Sequence, residues 1–259
     1  MSKQKVYDCF PFYKELDLIE LRMQELSSVV DYFVISEAEL THAGKAKPLY
    51  MSEALVTDPR FLPFKDRIIV YNTNIDSDTA WGRENKQRRG LENVYALAHP
   101  DDLILLSDAD EIPSRDFVSF ILESNLGYDK PILSKQFFYY YNFKYMKPEQ
   151  CHGTIAFRAK TRHNMQTLRN NRFYMDSIHS SGWHCSFFGS VKDVKEKIQN
   201  FAHEEFSSCA DDSVISTRIS NGQDIFGRDN AQERLIYLPN NKNIPNTVRL
   251  NPHKYLQLI

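Results

Sequence analysis

What the chain lacks narrows its function first. Its four cysteines, Cys9, Cys151, Cys185 and Cys209, include no C-x-x-C pair, so nothing spells a zinc site or a redox motif. There is no surplus of basic residues, and a formal charge of −2 argues against a protein that coats nucleic acid, because phosphate neutralisation takes a basic surface. No apolar run approaches the length of a membrane span, and the opening residues MSKQKVYDCF lack the apolar core of a signal peptide. These absences predict a soluble cytoplasmic protein with reduced thiols and no integral membrane segment. The G-x-G-x-x-G of dinucleotide-binding folds is missing after the first strand-like segment as well. In bulk the chain is ordinary, with 42% hydrophobic and 25% charged residues, and it can bury a substantial core. Its aromatic share of 13% exceeds what a core alone usually requires; ring faces also bind carbohydrate, and composition does not separate the two.

The informative stretch is residues 101–113, DDLILLSDADEIP. An apolar run of four, bounded by polar residues, fits a strand buried on both faces of a parallel sheet. Asp108, Asp110 and Glu111 follow at its carboxyl end, where open α/β sheets bind ligands. Asp108 and Asp110 are two apart, so in extended chain their carboxylates lean to one side with Ala109 turned away. Two hard oxygen ligands suit Mg²⁺ or Mn²⁺, ions that bridge carboxylates to substrate phosphates. The plainer reading is that such acids cap the next helix.

Around this stretch the pattern is α/β. Residues 6–12 read as a strand, 15–26 as an amphipathic helix and 31–36 as a second strand, a βαβ unit with Glu37 at its end. A loop carrying Lys45 and Lys47 leads to a third strand at 67–71. Residues 81–98 (WGRENKQRRGLENVYALA) predict one helix, with Trp81, Leu91, Val94 and Leu97 toward the core and Arg83, Gln87 and Arg88 near the ligand edge. Ser114 is placed to cap a helix over 115–123. In FFYYYNFKYM alternate residues must face opposite sides, so about half are expected in the core and the rest at an acceptor site. The βα rhythm then fades, which predicts an antiparallel extension carrying GWHCS, with His184, and FAHEEF, with His203, Glu204 and Glu205.

Taken together, DCFPFYKELDLIELRMQEL, DYFVISEAE, GKAKPLY, WGRENKQRRGL, DDLILLSDADEIPSRD and GWHCSF resemble glycosyltransferase family 17. The resemblance implies a GT-A fold: one Rossmann-like, mostly parallel sheet with helices on both faces and a carboxyl-terminal antiparallel extension. Residues 1–116 would bind the nucleotide sugar and 117–259 would form the acceptor side of a single domain. It implies an inverting transferase moving a sugar, N-acetylglucosamine above all, from a UDP-sugar to a glycan acceptor. Asp108 and Asp110 become the D-x-D pair holding Mn²⁺ (or Mg²⁺), with His184 as third ligand and His179 as its fallback. Glu37, Lys45, Arg83, Gln87, Arg88, Asp108 and Ala109 become donor contacts. The general base falls to Glu205, with Glu111 and Asp211 as rivals. A metal-dependent nucleotidyltransferase or phosphohydrolase, and a sugar-binding protein on a transferase fold, remain the alternatives.

Overall fold

The computed structural model describes residues 4–124, 126, 130–202, 204–228 and 230–259. A βαβ unit opens the chain: β1 (Val6–Pro11), α1 (Leu16–Leu26) and β2 (Tyr32–Glu37). Then come α2 (Tyr50–Thr57), a 3-10 segment (Pro59–Arg67), β3 (Ile68–Asn72), α3 (Ala80–Gly90) and β4 (Leu103–Leu106). These four strands are parallel in the order β4-β1-β2-β3. β4 is apolar throughout because both of its faces are covered. Leu103 and Leu105 join one core with Ile19 and Met23 of α1 and Met51 of α2, while Ile104 and Leu106 join another with Leu91, Val94 and Leu168. Helices thus flank both faces of the sheet.

The second half contributes β5 (Glu111–Pro113), α4 (Arg115–Glu123), β6 (Ile132–Tyr140), β7 (Tyr145–Met146), β8 (Cys151–Arg158), α5 (Met165–Asn171), β9 (Ser177–Ile178) and β10 (Gly182–Ser186). They are followed by α6 (Val191–Asn200), α7 (Asp212–Ser220), β11 (Ile236–Tyr237) and α8 (Asn246–Leu250). β8 pairs antiparallel with β4 and carries β6 antiparallel on its other side, so the sheet continues without a break. β10 differs from a purely antiparallel extension: it runs parallel to β6 and antiparallel to β5. That pairing sets His184 opposite Glu111, beside the acids that follow β4.

Two local expectations need correction. The helix read over 81–98 stops at Gly90 and passes into a 3-10 segment (Leu91–Ala96). At Gly90 the helix lies hard against the sheet: a Cβ there would stand 2.2 Å from Thr73 Oγ1 and 3.0 Å from Ser36 Oγ. Leu91 and Val94 are fully buried as expected, but Trp81 and Leu97 are about half exposed. Trp81, in the first turn of α3, lines the cavity described below instead of the core.

Candidate functional site

The loop after β4 is held from beneath by one guanidinium. Arg22 lies on the packed face of α1, four residues before Leu26, and is fully buried. Its Nε and Nη2 bind the buried Asp8 carboxylate at 2.7 and 2.6 Å. Nη1 donates to the main-chain carbonyls of Asp108 (3.0 Å), Ala109 (3.3 Å) and Glu111 (2.9 Å). Three carbonyls drawn to a single cation fix the path of the Asp-Ala-Asp-Glu segment. Glu111 braces it from the side: its carboxylate accepts from the Asp108 N–H at 3.0 Å and takes Arg169 in two bonds of 2.6 and 2.9 Å.

Both aspartates meet cations. Asp108 Oδ1 accepts from Arg88 Nη2 at 2.9 Å and Oδ2 from Arg169 Nη2 at 2.6 Å. Asp110 Oδ2 accepts from Lys197 Nζ at 2.7 Å, and its Oδ1 lies 3.6 Å from His184 Nε2. Burial acts to raise both carboxyl pKa values, but Arg169 and Arg88 at Asp108, and Lys197 and His184 at Asp110, outweigh it and hold both well below the usual carboxylate range. The His184 ring stacks on Phe138 of β6 with centroids 4.4 Å apart.

These groups open onto a cavity of about 570 Å³. Lys47, Arg88, Lys147, Arg169, Arg172, Lys197 and Arg228 line it against Glu15, Glu84, Asp108, Asp110 and Glu233, seven positive side chains to five negative among the described residues. One region is apolar, with Phe187, Phe201, Phe206 and Phe226 near Phe138 and Tyr140. The alternation expected of β6 is what builds this: Phe138 and Tyr140 face the cavity while Phe137 and Tyr139 pack in a separate core with Trp183.

Of the candidate site residues singled out in the sequence, Lys47, Gln87, Arg88, Asp108, Ala109, Asp110 and His184 come together on this cavity. Gln87 is held by its own bonds to the Phe12 and Ser36 carbonyls and presents Oε1 to His42 Nε2 at 2.7 Å. The others lie elsewhere. Glu37 is fully buried and caps α2, accepting from the N–H groups of Met51 and Ser52 at 2.7 and 3.1 Å. Arg83 braces the loop before α2 through the His42 carbonyl at 2.5 Å. Exposed Lys45 reaches the Gln199 carbonyl, and Lys47 is the loop lysine on the cavity. His179 lies in a different cleft with Trp183. For the base, Glu111 is committed to Arg169 and Asp211 caps α7 by accepting from Ser213 and Val214 N–H. Glu205 is exposed on a 3-10 turn (Glu204–Cys209) whose Phe206 faces the cavity. His203 lies outside the described residues.

The metal centre expected at Asp108, Asp110 and His184 does not fit this arrangement. No three His, Cys, Asp or Glu side chains among the described residues converge as a metal site requires. The physical reason is that Arg88 and Arg169 bond both oxygens of Asp108 and Lys197 bonds Oδ2 of Asp110, so an ion held by both aspartates would compete with these cations, Asp110 Oδ1 beside His184 being the one oxygen they leave.

Sequence reasoning missed Arg169, Lys197 and a charged group beside Phe138 and Tyr140. There Lys147 pairs with Glu233 and, at 3.7 Å, with buried Asp224, while Arg228 Nη2 binds Asp224 at 2.7 Å and Glu233 Oε2 at 3.0 Å. Lys147 Nζ also lies over the Phe138 and Tyr140 rings, 5.2 and 4.9 Å from their centroids. Burial, reinforced by Arg228, pushes Lys147 down to about 8 from its ordinary 10.5. Between those values the unfolded chain keeps a proton that the folded chain has released, so stability rises with pH through that window. Urea unfolding at about pH 7.5 and about pH 10 should therefore show the wild type gaining on Lys147→Met. An equal difference at both pH values would mean that Lys147 titrates normally.

Known proteins share this sequence pattern. Beta-1,4-mannosyl-glycoprotein 4-beta-N-acetylglucosaminyltransferases of Rattus norvegicus and Homo sapiens are each 25% identical to it, over 80% of this chain and 45% of theirs. The chain therefore spans about half the length of these curated relatives. Among solved structures, a 4-diphosphocytidyl-2C-methyl-D-erythritol synthase from Anaerococcus prevotii matches with a TM-score of 0.43 at 10% identity, covering 74% of this chain and 95% of that one. No helix among the described residues is long and apolar enough to cross a membrane. The description of one family runs from the first strand through the D-x-D loop and the GWHCS strand to Glu233, matching residues 1–233, and on that match the chain belongs to glycosyltransferase family 17.

Proposed function

We propose that the chain is an inverting glycosyltransferase that moves a sugar, N-acetylglucosamine first among the possibilities, from a UDP-sugar to a hydroxyl of a glycan. The observation that carries this reading is the cavity at the carboxyl end of β4, where an excess of positive side chains surrounds Asp108 and Asp110 and meets an aromatic region. A nucleotide sugar carries two negative charges on its diphosphate, which matches seven cations against five carboxylates. Aromatic faces suit the apolar faces of sugar rings. The family and the names of the relatives support the sugar chemistry.

In the reaction the bond from the anomeric carbon to the diphosphate oxygen breaks and its electron pair leaves with the diphosphate. The acceptor oxygen bonds the same carbon from the opposite face, and its proton passes to a carboxylate. That attack turns an α-linked donor into a β-linked product. Among the carboxylates on the cavity, Asp108 and Asp110 are bound by cations, Glu84 is paired with Arg88 at 2.9 Å, and Glu15 accepts from the main chain of Tyr13 and Lys14. Glu233 is paired with cations as well, accepting from Lys147 at Oε2 and lying 3.0 Å from Arg228 Nη2, but it is the carboxylate whose lysine sits over the Phe138 and Tyr140 rings, on the aromatic region suited to an acceptor sugar. We assign the base to Glu233 in place of Glu205, Glu111 and Asp211.

Incubation with a panel of nucleotide sugars and a glycan array, followed by mass analysis, tests the reading. One acceptor should gain one sugar as UDP appears. Turnover of a nucleoside triphosphate with no sugar acceptor would point instead to a nucleotidyltransferase or phosphohydrolase.

A further inference from the structure

The surroundings of Asp110 place a side-chain cation where a divalent ion would otherwise be sought. Lys197 sits on α6, whose start is fixed by a reciprocal capping box between Ser190 and Asp193 and whose Val194 and Ile198 are buried. A second tie comes from Tyr13 and Lys14, which both bind Glu196 one residue before it. The fold therefore delivers the Lys197 ammonium to Asp110 Oδ2 at 2.7 Å and to within 3.9 Å of Glu15 Oε1. Its side chain is 24% exposed and lines the cavity, so it is reachable by a ligand.

An ammonium has three donors. With Asp110 taking one, others remain for phosphate oxygens. An ion added between the two aspartates would bring two more positive charges beside Lys197, Arg88 and Arg169, and would have to compete with the two arginines for Asp108, both of whose oxygens they bond. A diphosphate entering the same space brings charge of the opposite sign and leaves those bonds intact.

We infer that Lys197, oriented by Asp110, neutralises the departing diphosphate of the donor in this chain, and that donor binding does not require a divalent metal ion. The inference rests on the transferase reading above. Lys197 keeps its proton throughout: the electron pair of the breaking bond goes to the diphosphate oxygen, which the ammonium stabilises by charge and hydrogen bonding. In this role Lys197 is a catalytic residue and Asp110 a positioning residue.

The test is calorimetric titration of UDP into the wild type, Lys197→Met and Lys197→Arg, each in EDTA and again in Mn²⁺, with circular dichroism to verify folding. The wild type should bind UDP in EDTA, and Mn²⁺ should alter its affinity by no more than about twofold. Lys197→Met should weaken UDP binding roughly tenfold to a hundredfold, and Lys197→Arg should recover part of the loss, because it restores the charge. UDP binding by the wild type only in Mn²⁺, or unchanged binding by folded Lys197→Met, would overturn the inference while leaving a metal-dependent transferase standing. UDP binding in neither buffer would overturn the UDP-donor reading, and the inference with it.

Discussion

Replacing Glu233 with glutamine is expected to slow sugar transfer by about a hundredfold to ten-thousandfold, with UDP affinity unchanged to within about twofold. Glutamine keeps the size of the side chain and an oxygen for Lys147 and Arg228, but it cannot take a proton from the acceptor hydroxyl. The loss should therefore fall on kcat, and transition-state stabilisation, not donor binding, should account for it. Glu205→Gln provides the contrast: its side chain is exposed on the turn between α6 and α7, so its effect should be much smaller. Steady-state rates with saturating donor distinguish the two. Wild-type turnover in Glu233→Gln, or a larger loss in Glu205→Gln, would move the base away from Glu233.

Arg22→Ala is expected to lower the folding free energy by about 3–5 kcal/mol, because it strands a buried charge. Asp8 is fully buried, and Arg22 is the cation bonded to both of its carboxylate oxygens. The same change removes the donor from the carbonyls of Asp108, Ala109 and Glu111, so the loop that carries the site loses its anchor. Urea denaturation of the two proteins measures the effect. A double variant, Asp8→Leu with Arg22→Met, should regain much of the stability, since apolar replacement of a buried pair is often neutral or stabilising. It should not regain UDP affinity, because no apolar side chain can hold three carbonyls. A loss below about 1 kcal/mol in Arg22→Ala would show that water or another group satisfies Asp8.

Much of this was legible in the sequence where the signal is local. The run Leu103–Leu106 is uninterrupted because both faces of β4 are buried, and the acids follow at the strand's end. Period-two alternation predicted two opposite faces for the rings of β6, and the structure puts Phe138 and Tyr140 on the cavity and Phe137 and Tyr139 in the core. Gln87 and Arg88 were legible because α3 leads directly toward β4. Glu37 and Arg83 show the limit of that logic: a polar residue near a strand end or helix start is as useful for holding a loop or a helix end as for binding a ligand. Arg169, Lys197, Lys147, Arg228 and Glu233 left no local signature. They come from separate segments, and only the placement of β10 on β6 and of α5 and α6 around the loop brings them together. The same cations are what a D-x-D motif alone does not report, and they decide whether its carboxylates are free for a metal. Arg22 did have a signal: a charged residue at the spacing of the apolar stripe of α1, with an acid, Asp8, inside an otherwise apolar strand.

If the cavity at the carboxyl end of β4 is the donor site, a bound nucleotide sugar will protect the segments that line it. Hydrogen–deuterium exchange of the wild-type protein with and without UDP-N-acetylglucosamine tests it most directly, because exchange reports local protection segment by segment. Exchange should slow in peptides spanning residues 84–90, 107–111, 165–170 and 195–202 on addition of the donor. Unchanged exchange in all four, or protection confined to the cleft around His179 and Trp183, would contradict it.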